Sequence, residues 1–168
     1  AMACSFCATG QIGFDRHLTV GEIVEQVVRS AQSSKDKRLS NVVFMGMGEP
    51  LANFDNVWSA VERIHRDLGI SARKITVSTV GVIPGIERLT HQALPVSLAV
   101  SLHSANDETR NQLAPVNRTY PLRKLFEALQ SYKRSKNRRI SLDWARVAGV
   151  NDTDLAGREL AEFARPLY

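Results

Sequence analysis

Cys4 and Cys7 are the only two thiols in this chain of 168 residues, and they stand at C-x-x-C spacing close to its first residue. Thiolates at that spacing converge on one centre, which suits half of a zinc site, a redox dithiol or part of an iron–sulfur site. His17, His65, His91 and His103 are scattered, and none pairs with another at ligand spacing, so no Cys/His set completes a four-ligand zinc site. A thioredoxin-like pair would follow a strand and open a helix within a different topology. The pair therefore asks for a partner that the rest of the chain does not supply.

A second group of polar residues recurs at the ends of apolar runs. "GMGEP" sets Gly46 and Gly48 around a tight turn, with Glu49 held by Pro50. Glycines let backbone approach a ligand closely, and a carboxylate accepts hydrogen bonds from an ammonium group. The same turn is also what a plain strand-to-helix connection needs for its geometry. Ser78 and Ser101 end apolar runs with a hydroxyl that either binds a ligand or caps the next turn. His103 suits a general base, a ligand contact or a satisfied structural histidine. No G-x-G-x-x-G or P-loop fingerprint is present, which weakens a nucleoside-triphosphate reading.

The elements that carry these residues follow from periodicity. Thr19 and Glu22 form a T-x-x-E capping box, and Ile23, Val24, Val27, Val28 and Ala31 then recur at helical spacing to about Ser33. Asn41 to Met45 is a short apolar run, read as a buried strand. Val57, Ala60, Val61, Ile64 and Leu68 make a second helical stripe. Lys74 to Thr79 reads as a strand, followed by a short helix started by Pro84. Val96 to Ser101 is the next strand. Pro121 suits the first position of a helix bearing Leu122, Leu125, Phe126 and Leu129. Arg139 to Ala145 is again a strand, and Asp154 to about Ala164 a last helix. A helix followed by four strand–helix units is a parallel α/β fold, either a doubly wound sheet or a (β/α) barrel. In both, ligands bind at the carboxyl edge of the sheet, and three consecutive strands here run into "GMGEP", "STVG" and "SLHSAND".

Composition limits the classes further. At 43% hydrophobic, the chain has enough apolar residues for one domain with a real core, and no long Gly/Ser or Pro linker divides it. No apolar run approaches the roughly 20 residues of a membrane span, and no basic-then-apolar leader is visible. Two neighbouring cysteines fit a reducing compartment, so a cytoplasmic location is expected. The net charge of +5 permits an anionic partner such as RNA. Lys133, Arg134, Lys136, Arg138 and Arg139 lie within seven positions, either as a helix C-terminus with its loop or as a phosphate-contacting patch.

Taken together, "ACSFCATGQIGFDRHLTVGEIVEQV", "NVVFMGMGEPLANFDNV", "ITVSTVGVIPGIERL", "LAVSLHSANDETRNQLAPVNRTYPL" and "GVND" resemble the radical SAM methyltransferases that act on C2 of an adenine in 23S rRNA. Bacterial members commonly act on tRNA as well. The resemblance covers nearly the whole chain, in order. It implies a partial (β/α)6 TIM-like barrel, truncated at both ends, with residues 1–168 forming the radical SAM core. It further implies a [4Fe–4S] cluster held by C-x-x-x-C-x-x-C, with Cys4 and Cys7 as second and third ligands and the first falling just before Ala1. Gly48 and Glu49 match the motif that binds the methionyl amino group of S-adenosylmethionine (SAM). Ser78 matches a serine that contacts the same molecule, and Ser101, Leu102 and His103 match a further SAM-binding segment.

The reaction so implied has two stages. One SAM methylates a cysteine near the family's C-terminus, and a second yields a 5′-deoxyadenosyl radical that activates this methyl group for addition to adenine. Neither of the cysteines used lies in this chain, so no catalytic residue is assigned within it, and the segment alone is expected to be inactive. The partners implied are 23S rRNA, tRNA and an electron donor such as flavodoxin, with no membrane and a monomeric state. Two other readings stand beside this one. The related C8-methylating enzyme of antibiotic resistance shares the same motifs, and an inactive fragment would have a C-x-x-C that binds zinc or nothing. Asp143, Trp144, Ala145 and Arg146 depart from the Glu-Tyr and apolar run usual in the family.

Overall fold

The computed structural model describes residues 2–34 and 38–168. Its helices are α1 (Ala8–Ile12), α2 (Val20–Ser33), α3 (Phe54–Asp67), α4 (Ile83–His91), α5 (Asp107–Leu113), α6 (Leu122–Lys136) and α7 (Asp154–Ala164). Its strands are β1 (Val42–Phe44), β2 (Ile75–Thr79), β3 (Ser97–Ser101) and β4 (Ile140–Asp143). All neighbouring strands pair in parallel, in the order β1-β2-β3-β4. A doubly wound sheet reverses its strand order at a switch point, whereas this sheet advances always in one direction. The architecture is thus α/β, a portion of a (β/α) barrel.

Alternation along each strand separates two faces. Ile75, Val77, Leu98, Val100 and Ile140 belong to the apolar core, with the partly buried Val42, Phe44 and Leu142 packed against it. Ala60, Val61 and Ile64 of α3, Ile86 and Leu89 of α4, and Leu125 and Leu129 of α6 cover this face. The opposite face carries Val43, Thr76, Ser78, Ala99, Ser101, Ser141 and Asp143, which are mostly small and polar. Small residues leave room on that side, as the interior of a ligand-binding barrel requires.

Helix ends explain the local boundaries. The Thr19 side chain accepts from the Glu22 N–H and the Glu22 carboxylate accepts from the Thr19 N–H, so the capping box is complete. Pro121 caps α6 with an extended ψ of 157° and stands just outside the first turn, where the sequence placed it within. Helix α4 begins at Ile83, one residue before Pro84. The outer strands are shorter than the apolar runs around them. Helices α1 and α5, of 5 and 7 residues, are too short to show a hydrophobic stripe and were not expected.

Candidate functional site

The loop leaving β1 is shaped by backbone conformation. Gly46 and Gly48 have φ of 129° and 86°, a region that side chains with a Cβ rarely adopt. They bring Glu49 back against the end of β2. Its Oε1 accepts from the Leu51 N–H at 3.0 Å and its Oε2 from the Val80 N–H at 2.8 Å. One carboxylate thereby ties the β1 loop to the β2 loop. Burial pushes its carboxyl above the usual range, opposed by the Val80 and Leu51 N–H groups and the Thr79 hydroxyl. With these donors in place the carboxylate still has acceptor capacity for a further donor.

Beside it lies the open face of the sheet. Ser78 is 5% exposed, and neither its hydroxyl nor that of Ser101 makes a hydrogen bond among the described residues. The turn after β2 is held instead by Thr79, whose Oγ1 accepts from the N–H groups of Gly81 and Val82. The turn-capping role open to Ser78 thus belongs to its neighbour. Ser101 aligns with Asp143 across β3 and β4, and Asp143 Oδ2 is buried without a partner among the described residues. Burial raises this carboxyl too.

Past β3 the chain bends sharply. Leu102 is 0% exposed and its side chain lies in the apolar core, so it is not brought to the open face. Its N–H donates to the Asp143 carbonyl at 3.0 Å. His103 has a φ of 59°, and its Nδ1 accepts from the Ala145 N–H at 3.0 Å. The ring is therefore the tautomer that carries its proton on Nε2. Burial, assisted by the Arg110 charge, pulls its pKa down to about 4, so it is neutral near pH 7.

The thiol pair sits over this edge. The Cys7 N–H donates to the Cys4 carbonyl at 3.1 Å, which closes the turn on which both side chains are partly buried. Ser5 donates its N–H to the Leu113 carbonyl at the end of α5 at 3.0 Å. Phe6 meets the His103 ring edge-to-face, with centroids 4.6 Å apart. Burial and the nearness of Cys7 raise the Cys4 thiol, while Arg110 lowers it. The structure so brings together Cys4, Cys7 and His103 on one side, and Gly48, Glu49, Ser78 and Ser101 along the strand ends. The loop presents two thiols, those of Cys4 and Cys7. Among the described residues no group of three or more His, Cys, Asp or Glu is arranged to hold a metal.

Two buried residues were not singled out from sequence. Arg110 is 0% exposed, and donates from Nε to the Leu102 carbonyl, from Nη2 to the Val80 carbonyl and from Nη1 to Asn117 Oδ1. Asn151 donates from Nδ2 to the carbonyls of His103 and Ala145, while its Oδ1 accepts from the Val147 N–H. Asn151 belongs to the quoted "GVND" and Arg110 to the quoted "LAVSLHSANDETRNQLAPVNRTYPL", and neither stands out within its motif because burial and hydrogen-bond partners are not written in local spacing. The basic run lies at the other end of the sheet. Lys133 donates to the Tyr168 carbonyl, Lys136 to the Gln92 carbonyl, and Arg138 to the Arg73 carbonyl and to Ser97 Oγ. Arg138 lies just before the start of β4, and Ser97 starts β3, so these cations brace the amino edge.

A (β/α) barrel with a thiol loop over its carboxyl edge points to one class, the radical SAM proteins. The family model described as Radical SAM superfamily matches residues 1–156, and the chain belongs to that superfamily. It is similar to the probable dual-specificity RNA methyltransferase RlmN of Akkermansia muciniphila, with 45% identity over 100% of this chain and 47% of the relative. The corresponding protein of Bifidobacterium adolescentis is 48% identical over 90% of this chain and 42% of its own length. Among solved structures, a radical SAM methyltransferase from Sphaerobacter thermophilus superposes with a TM-score of 0.96 and 43% identity, covering 99% of this chain and 50% of that one. The chain spans about half the length of the curated relatives it matches.

Proposed function

We propose that this chain is the barrel portion of a radical SAM enzyme that methylates C2 of an adenine in 23S rRNA, and an adenine of tRNA as well. The observation that carries the reading is 45% identity, across 100% of the chain, to a relative described as a dual-specificity RNA methyltransferase. The rim supports it. Gly48 and Glu49 would hold the methionyl ammonium group, Glu49 through the lone pairs left free by Leu51 and Val80. Ser78 and Ser101 offer hydroxyls with no partner within the described chain, and neutral His103 offers an N–H donor at Nε2. Leu102 would contribute by placing the backbone between Ser101 and His103.

Cys4 and Cys7 would hold two irons of a [4Fe–4S] cluster, which when bound supplies the electron that starts radical chemistry on SAM. The residues of this chain do the binding and positioning; the methylated cysteine of the proposed reaction lies outside it. Such an enzyme would take its electron from a donor such as flavodoxin and would work as a cytoplasmic monomer.

The test uses the full-length protein, reconstituted anaerobically with iron and sulfide, and mass spectrometry of 23S rRNA and tRNA exposed to it. C2-methyladenine is the expected product. C8-methyladenine alone, or no methylation by a cluster-loaded protein, would overturn the reading. In the same protein Glu49→Ala is expected to weaken SAM binding by about tenfold or more, equivalent to about 1.4 kcal/mol. Unchanged affinity by calorimetry would remove Glu49 from the site.

A further inference from the structure

Asn151 is 2% exposed, and both N–H groups of its side chain are spent on carbonyls, that of His103 at 2.7 Å and that of Ala145 at 2.9 Å. Its Oδ1 accepts from the Val147 N–H at 2.7 Å. The amide has no donor left for a ligand, so it serves the site only through its neighbours. The bonds to Ala145 and Val147 are local and close the loop that follows β4. That loop also holds itself, with the Val150 N–H on the Val147 carbonyl and the Gly149 N–H on Asp152 Oδ1. The bond to His103 reaches 48 positions back along the chain, and closing the loop does not require it.

His103 is the residue that needs holding. Its φ of 59° is a left-handed conformation, which a side chain with a Cβ keeps only where its surroundings over-determine it. Here they do. Its N–H donates to the Asp143 carbonyl at 3.3 Å, its carbonyl accepts from Asn151, and its Nδ1 accepts from the Ala145 N–H at 3.0 Å. Phe6 packs edge-to-face on the ring. Asn151 thus grips the two residues, His103 and Ala145, whose ring-to-amide bond sets the imidazole. Of the polar atoms of His103, Nε2 is the one with no partner among the described residues. The strand face beside it carries the partnerless Ser78 and Ser101 hydroxyls and the buried, partnerless Asp143 Oδ2, a polar capacity that the described residues do not fill.

We propose that Asn151 is a positioning residue for the SAM site. By clamping His103 to Ala145 it keeps the imidazole proton on Nε2 and that N–H available to an acceptor of the ligand. The role rests on the SAM reading above, and the test separates the two.

The test uses the full-length protein, metal-free for nuclear magnetic resonance and reconstituted for calorimetry with SAM. Asn151→Asp keeps the shape and the acceptor for Val147 but sets a carboxylate oxygen against two carbonyls. Asn151→Ala removes all three bonds. The wild type should show a 15N–15N coupling between the Ala145 amide and His103 Nδ1 across their hydrogen bond, and both variants should lose it. Their SAM affinity is expected to weaken by about threefold to tenfold, the worth of one neutral hydrogen bond put out of place. A merely structural role would lower the melting temperature and leave the affinity unchanged. If the wild type binds no SAM, both readings fall. If it binds and the folded variants bind equally well, the inference about Asn151 alone falls. Weaker binding with the coupling intact would also overturn it, since the clamp would not be acting through the ring.

Should both variants fail to fold, the wild type still decides. The Asn151 side-chain N–H pair is buried with both donors occupied, so it should exchange with deuterium more slowly than the amides of exposed asparagines. Saturating SAM should shift the His103 Nε2 signal. Fast exchange at Asn151, or an Nε2 signal that SAM leaves in place, would overturn the proposal.

Discussion

His103 shows how far one side chain's surroundings can redirect its chemistry. As a lone histidine near a strand end it suited a base, a ligand contact or a structural role, and only packing separates these. With Nδ1 occupied by the Ala145 N–H and a pKa of about 4, it is a neutral donor. The depressed pKa has a sign that can be measured. The unfolded chain binds a proton at this ring near pH 6.5 and the folded chain resists it until about 4, so stability falls as pH drops through that window. His103→Asn keeps an acceptor near the Nδ1 position and tolerates the left-handed backbone. Its urea midpoint is expected to fall less than the wild type's between about pH 7 and pH 4.5. An equal fall would show that other groups set the acid sensitivity. Glu49→Ala leaves two backbone donors at the strand ends without acceptors, at roughly 1–3 kcal/mol each, and a urea titration should register that loss beside the weaker SAM binding. "GMGEP" marks Glu49 as a candidate site residue; its bond to Val80 is not legible there, because Val80 is 31 positions away.

Among the elements, helix α4 and the turn Pro50–Asn53 approach each other closely at Gly85. A Cβ built on Gly85 would lie 2.5 Å from the Leu51 Cβ, a group fixed by its own backbone. Gly→Ala inside a helix ordinarily stabilises by about 1 kcal/mol through backbone entropy. Here the overlap outweighs that gain, and Gly85→Ala is expected to destabilise by about 1–3 kcal/mol, the usual cost of overpacking. Thermal and urea unfolding would check it, and a stabilised variant would show that the turn moves away freely. Periodicity revealed the long elements because their stripes repeat over several turns, as in Val57, Ala60, Val61 and Ile64. It missed α5, whose seven residues begin with an Asn106 cap accepting from the Glu108 and Thr109 N–H groups. That cap positions Arg110, so a fully buried cation at the rim escaped notice together with its helix.

At the scale of the whole molecule, the two ends of the sheet do different work. The carboxyl edge gathers Cys4, Cys7, Glu49, Ser78, Ser101 and His103. The amino edge holds the basic run, in which Lys133, Lys136 and Arg138 direct their charge to carbonyls and a hydroxyl of the chain itself. Of the two readings open to that run, the bracing of helix and strand ends accounts for these three. Arg134 and Arg139 are exposed. Reversing both to Glu in the full-length protein is expected to change the proposed rRNA methylation by no more than about twofold, since surface substitutions away from such contacts usually cost within about 0.5 kcal/mol. A large loss of methylation, read by mass spectrometry, would instead place RNA on the amino edge.

By itself the amino-acid sequence determined the parallel α/β class, most strand and helix positions, the thiol pair and the polar ends of three strands, because each is written in local spacing. Its strand–helix periodicity left a doubly wound sheet and a barrel equally open, since both repeat the same unit, and only the resemblance of its motifs favoured the barrel. The tertiary structure decided for the barrel through strand order, a property of non-local pairing. The tertiary structure also decided which strand-end hydroxyls stay unpartnered among the described residues, which nitrogen of His103 holds its proton, and that Leu102 faces the core while Ser101 faces the open side. Burial and hydrogen-bond partners at the rim come from loops far apart in the chain, and no local pattern encodes them. Arg110 is the clearest case: a charged residue on a short helix in the sequence, and in the folded chain the buried cation at the carboxyl edge of the sheet.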